Sequence, residues 1–149
     1  MKGDVLEPFY ANGLHFSCRR CSQCCRVDPG YVFLSETDAT ALSDKLGMKK
    51  HEFMQVYCRW VDLGGAKKQL SLKETSAYDC IFWKGACTVY DARPLACKTY
   101  PFWQSMLVSK DVWDAASSYC PGCGSGELFD RNVIEACIQS EKNNILIQK

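Results

Sequence analysis

Cys18-Arg19-Arg20-Cys21-Ser22-Gln23-Cys24-Cys25 packs four thiols into one short run, three of them at successive C-x₂-C spacings, and its reading decides what kind of domain this chain forms. A thiolate is the ligand form of cysteine, and a C-x₂-C loop turns two sulfurs toward one ion. Cys18, Cys21 and Cys24 can therefore share a metal or cluster. Cys25 differs, because neighbouring side chains in extended backbone point to opposite faces; it is expected to reach a second metal or to bridge. Arg19, Arg20 and Arg26 add positive charge that favours the anionic ligand form. Asp28-Pro29-Gly30 closes the block as a turn, so the whole run reads as a loop.

Outward from this block the chain is poor in ordinary core residues. Leu, Ile, Val and Phe make up 33 of 149 positions, about 22%, while cysteine accounts for 11. Metal ligation is then expected to supply part of the folding free energy, as in other small scaffolds. An odd cysteine count with no apolar h-region in Met1–Pro8 argues against a disulfide framework and for a reduced, cytoplasmic setting. No apolar run is long enough to span a membrane. A net charge of +1 leaves no electrostatic footprint for nucleic acid, and eight thiolates around two or three zinc ions would make it negative.

The other cysteines fall in two later blocks. Cys80-Ile81-Phe82-Trp83, Lys84-Gly85 and Ala86–Tyr90 read as a β-hairpin with glycine at its turn, followed by Arg93-Pro94-Leu95-Ala96-Cys97 as a short helix ending before Tyr100-Pro101. Cys120-Pro121-Gly122-Cys123 lies in a Gly- and Pro-rich loop. Eight cysteines stand out as ligands: Cys18, Cys21, Cys24, Cys25, Cys80, Cys87, Cys97 and Cys120. Cys123 is the obvious ninth sulfur, whereas Cys58 and Cys137, on predicted helices, read as small buried apolar side chains. His15 reads as solvated or locally hydrogen-bonded, and His51 as a surface residue.

Around these blocks the pattern predicts scaffold. Tyr31–Leu34 reads as a strand, Ser35–Asp38 as a helix entry and Gly47 as its stop. A second helix is expected over Lys50–Trp60, a half-buried strand around Leu70 and Leu72, weak strand character over Trp103–Trp113, and a last helix over Leu128–Lys142 with Val133, Ile134, Cys137 and Ile138 inward. The fold class expected is a small single α+β domain over 1–149, with a β-hairpin and several short helices organised around a metal–thiolate cluster. Crowded thiols favour a polynuclear centre over isolated sites, with metals about 3–4 Å apart by analogy with two-metal sites. Zinc, two or three ions, is the first reading; iron or an iron–sulfur cluster is the alternative, because Cys18-x₂-Cys21-x₂-Cys24 with a remote Cys120-Pro121 is similar to three-plus-one cluster ligation. No phosphate loop, nucleophile elbow or His-based acid–base pair is visible, so the sequence leans away from an enzyme.

Cys18-x₂-Cys21-x₂-Cys24-Cys25, Phe33-Leu34…Asp38, Cys80-Ile81-Phe82, Gly85-x-Cys87-x-x-Tyr90, Arg93-Pro94-x-x-Cys97, Pro101 and Cys120-Pro121-Gly122 together resemble the YkgJ-type cysteine-cluster proteins, the CxxCxxCC family of zinc- or iron-chelating domains. The resemblance covers about residues 16–124, and the family's eight cysteines fall on the eight named above. It implies metal chelation. Ser22, Lys98 and Tyr100 depart mildly from the family pattern. Flagellin lysine N-methylases look similar in this module and are associated with an iron–sulfur cluster, but they are much longer. The resemblance therefore carries the ligands to this chain and leaves metal-assisted methyl transfer or electron transfer as an alternative. A zinc-stabilised module that binds a protein partner is a further one.

Overall fold

The computed structural model describes residues 6–20 and 30–149. Its elements run β1 (Leu14–Phe16), α1 (Glu36–Leu46), α2 (Lys50–Tyr57), β2 (Cys58–Val61), β3 (Gln69–Leu72), α3 (Leu95–Thr99), α4 (Lys110–Ser117), β4 (Glu127–Phe129) and α5 (Arg131–Asn143). This is a small α+β fold with two small antiparallel sheets, β1–β4 and β2–β3. The described residues divide into two compact units, 6–20 with 101–142 and 30–100 with 143–149. No helix among them is long and apolar enough to cross a membrane.

In the unit built on 30–100, local chemistry sets α1. The Ser35 hydroxyl accepts from the Asp38 amide (3.1 Å) while the Asp38 carboxylate accepts from the Ser35 amide (3.0 Å), a reciprocal cap that satisfies two otherwise orphaned donors. Gly47 ends the helix at φ +65°, a left-handed conformation that costs glycine nothing. α2 stops at Tyr57 instead of reaching Trp60, and Cys58 opens β2. Two causes act together: the Lys73 ammonium donates to the Gln55 and Val56 carbonyls at the helix end (3.2 and 2.9 Å), and β2 pairs with β3 from Cys58↔Leu72 to Val61↔Gln69. Among the described residues of this unit, β2–β3 is the laddered hairpin.

β3 is buried on both edges. Beyond β2, Leu72 donates its amide to the Val32 carbonyl and Leu34 to the Leu70 carbonyl (3.0 and 3.1 Å), while the final residues enter through Leu70 N–H to Ile147 O (3.1 Å) and a Gln69↔Gln148 bridge. Tyr31–Leu34 thus runs as an extended edge joined by a single Phe33↔Ser71 bridge, without a full ladder. The expected alternation in β3 is absent because Ser71, 0% exposed, uses its hydroxyl internally, accepting from Val32 and donating to the Leu72 carbonyl. Leu34, Leu42, Phe53, Cys58, Leu70, Leu72, Phe82 and Val89 form the core. Phe82 packs against Tyr57 and Phe53, with centroids 4.9 and 6.4 Å apart.

In the other unit, β1 and β4 pair from Leu14↔Phe129 to Phe16↔Glu127, and an aromatic cluster replaces the scarce aliphatics. Phe102 contacts Phe129 edge-on (5.4 Å), Phe16 (6.0 Å) and Trp113 (6.1 Å). Trp103–Trp113 is not strand: a 3₁₀ turn over Gln104–Met106 leads to α4, whose start Ser109 caps through the Val112 amide (3.2 Å) and whose first turn carries the Lys110–Asp114 pair. The last helix begins at Arg131, after β4 takes up Leu128 and Phe129, and it buries Ile134 while Val133 stays exposed.

Candidate metal centre

Cys18 and the Cys120–Cys123 turn belong to one unit and are tied by backbone. Ser17, the residue before Cys18, donates its amide to the Gly122 carbonyl (3.1 Å); Gly124 donates to the His15 carbonyl (2.8 Å), and Phe16 bridges Cys123. The approach is so close that a β-carbon on Gly122 would fall on the Ser17 carbonyl oxygen. The Ser17 hydroxyl accepts from the Glu127 amide (3.1 Å), and Arg19 reaches the Ser125 hydroxyl (3.1 Å). The turn itself closes with Cys123 N–H to Cys120 O at 3.0 Å, the compact C-x₂-C arrangement. Cys120 is buried, Cys123 half-buried and Cys18 exposed. His15 sits on β1, its Nδ1 3.0 Å from the carbonyl of Gly126, a residue 111 positions away in the sequence. His51 is exposed in the first turn of α2.

Cys80, Cys87 and Cys97 belong to the other unit. Cys80 bridges Glu74 and follows a tight Thr75–Asp79 turn in which Tyr78 adopts φ +64°, a conformation non-glycine residues hold only when their surroundings fix it. The expected hairpin over 80–90 is reduced to one bridge, Trp83↔Cys87, around Gly85. Trp83 donates back to the Cys80 carbonyl (2.8 Å), so Cys80–Trp83 is itself a turn and cannot extend into a strand. Cys97 lies on α3 as expected, after Pro94. Two residues place that short helix. The second carboxylate oxygen of Asp38 accepts from the Leu95 amide (3.0 Å), so one buried side chain caps both α1 and α3. Arg93 lies 3.8 Å over the Tyr90 ring and donates from Nε to the Tyr90 carbonyl (3.0 Å).

Cys21, Cys24, Cys25, Arg26 and Asp28 lie outside the described residues. Among the described residues no three His, Cys, Asp or Glu side chains are gathered to enclose an ion. The donor chemistry fits a metal nonetheless: Cys18, Cys80, Cys87, Cys97, Cys120 and Cys123 bring sulfur, the soft donor that zinc and iron–sulfur centres take. Cys58 and Cys137 have a different environment. Cys58 is 5% exposed in the apolar core, and burial pushes its thiol up to about 12, against a weaker opposing pull from Lys73. Burial also raises Cys137, with Glu141 adding to the shift. Both environments favour the neutral thiol. Cys58 is on β2 and not on a helix, yet its reading as a small buried side chain holds.

Sequence reasoning recognised Asp38 at the helix entry but not its reach to Leu95, 57 positions away. It passed over Arg59 and Glu74; the signal for Arg59 was present as a charge inside the otherwise apolar run Cys58–Val61, whereas Glu74 carries none. No solved structure matches the chain. The family described as "putative zinc- or iron-chelating domain" matches residues 17–121, a span that takes in all eight ligand candidates. With that span covering well over half of the sequence, the chain belongs to the CxxCxxCC family and is a metal-binding protein of the zinc- or iron-chelating kind.

Proposed function

We propose that Cys18, Cys21, Cys24, Cys25, Cys80, Cys87, Cys97 and Cys120 hold two or three zinc ions in a polynuclear thiolate centre, in a reduced cytoplasmic setting. The observation that carries this reading is the ladder that seats Cys18 against the Cys120 turn: cysteine blocks more than a hundred residues apart are tied through Ser17 and Gly122 at 3.1 Å. Such convergence of distant C-x₂-C blocks is how structural thiolate sites are assembled. Bridging sulfurs lower the charge per metal, which matters where several anionic thiolates share a poorly solvated region. When bound, zinc supplies crosslinking and Lewis acidity; the chain supplies sulfur, backbone amides and the neighbouring arginines that offset negative charge. Binding energy then appears as folding energy.

Metal analysis and an absorption spectrum on anaerobically purified protein test the proposal. Colourless protein with two or three zinc ions, some sharing sulfur by anomalous diffraction, is the expected result. A visible charge-transfer band with acid-labile sulfide would replace zinc by an iron–sulfur cluster. Well-separated single metals with no shared sulfur would reduce the centre to structural zinc.

A further inference from the structure

Gly30 is the first described residue after the cysteine-rich run of the sequence, and both of its backbone groups are held by side chains. Its carbonyl accepts from Arg59 Nη2 at 3.1 Å, and its amide donates to Glu74 Oε2 at 3.3 Å. Arg59 Nη2 also lies 3.4 Å from Glu74 Oε1, so guanidinium, carboxylate and one residue's backbone close a ring. The guanidinium stands 5.3 Å over the Tyr31 ring, which stacks on Phe33. Glu74 is only 18% exposed at its side chain and Arg59 34%, which limits solvent screening. Arg59 Nε is buried with no partner among the described residues, a cost that an arginine used merely for solubility would avoid by turning outward.

The two charged residues stand on ordered backbone. Arg59 is in β2 opposite Ser71, and Glu74 is the bridge partner of Cys80. Gly30 follows Cys25 by five residues. We infer that Arg59 and Glu74 are positioning residues for the metal centre: they hold Gly30, five positions after Cys25 in the sequence, to the backbone pair that carries Cys80. Neither touches metal. Without the clamp Gly30 is no longer fixed beside Cys80, and holding it there is then a cost set against metal affinity, as for other groups that act from behind the ligands. The inference rests on the thiolate reading above.

Zinc affinity by competition with a chromogenic chelator is the test, in the full chain. Glu74→Ala is expected to weaken zinc about 10- to 100-fold, the usual effect of losing such a support, and to speed zinc transfer to the chelator. Glu74→Gln, which keeps an acceptor for the Gly30 amide and loses the ion pair, should recover part of that loss. Arg59→Lys, with charge but no fork, should fall between wild type and Glu74→Ala. Cobalt substituted for zinc adds a spectroscopic readout, since a loosened thiolate set shifts the visible bands while a merely destabilised fold leaves them in place. Should Glu74→Ala fail to fold, the Gln and Lys variants carry the same comparison. Wild-type affinity in all variants, with Cys80→Ser losing zinc, overturns the clamp and leaves the thiolate reading standing. A wild-type protein that binds neither zinc nor iron overturns the thiolate reading itself.

Discussion

Asp38→Ala removes a carboxylate that holds the first amide of α1's cap and the first amide of α3 at once. The two contacts, Oδ2 to Ser35 N and Oδ1 to Leu95 N, are both 3.0 Å, and Asp38 is 7% exposed. A hydrogen bond to a charged group contributes about 1.5–3 kcal/mol. Adding two overstates the loss, because Ser35 Oγ still accepts from residue 38 in the variant and the freed Leu95 amide, at a helix start, can take water. An expected destabilisation of about 3 kcal/mol follows. Asp38→Asn keeps one acceptor oxygen and turns an NH₂ toward the other amide, so it should cost nearly as much in spite of its shape. Urea unfolding followed by far-UV circular dichroism measures the change as a shift in midpoint at constant slope. Cys97 on α3 gives an independent readout, since its labelling by a thiol reagent in chelator-treated protein should accelerate as the helix frays. A loss below about 0.5 kcal/mol, the range of neutral surface substitutions, together with unchanged Cys97 labelling, would refute the double-cap argument.

Gly122→Ala should destabilise the β1–β4 unit by about 1–3 kcal/mol, the usual cost of overpacking, because its β-carbon meets the Ser17 carbonyl; unchanged protection of the Ser17 and Gly124 amides to hydrogen exchange would contradict this. The Cys58 thiol, raised from 9.0 to about 12, binds its proton more tightly folded than unfolded. Its contribution is therefore complete below about pH 9 and is lost at up to about 1.4 kcal/mol per pH unit as pH climbs toward 12. Comparing wild type with Cys58→Ala in alkaline urea titrations isolates that slope, and identical slopes would remove the effect. Strong chelation should lower the melting temperature or broaden the transition; a metal-free protein that melts unchanged would show that the metal does not hold the fold.

Where one short run of residues settles an element, its reading holds. Ser35 through Asp38 and Gly47 determine α1 because caps act within a single turn, and Pro94 fixes the start of α3 for the same reason. Where a distant partner competes, local reading fails. Val56, Tyr57 and Trp60 suit either a longer helix or a strand, and the choice falls to β3 and Lys73. Leu128 and Phe129 fit a helical face, but β1 claims them. The 80–90 segment has hairpin residues without room for a ladder, since its first arm folds back on itself. As ligand candidates the cysteines were legible, because thiol chemistry needs no tertiary context. Asp38 toward Leu95, and Arg59 and Glu74 toward Gly30, were not, since each depends on what the fold brings alongside.

The pairing of β1 with the segment around Gly126 also sets a timetable for synthesis. His15 and Gly126 are 111 positions apart. At about 5–20 residues per second a ribosome needs roughly 6–22 seconds to cover that interval. Throughout it Leu14–Phe16 has no strand to join and Cys18 waits in an unfinished unit. The closing stretch around Ile147, which completes the edge of β3, emerges later still. A nascent chain of this kind has made most of its thiols before the β1–β4 pairing or the edge of β3 can form, so capture by metals or oxidants competes with folding during translation.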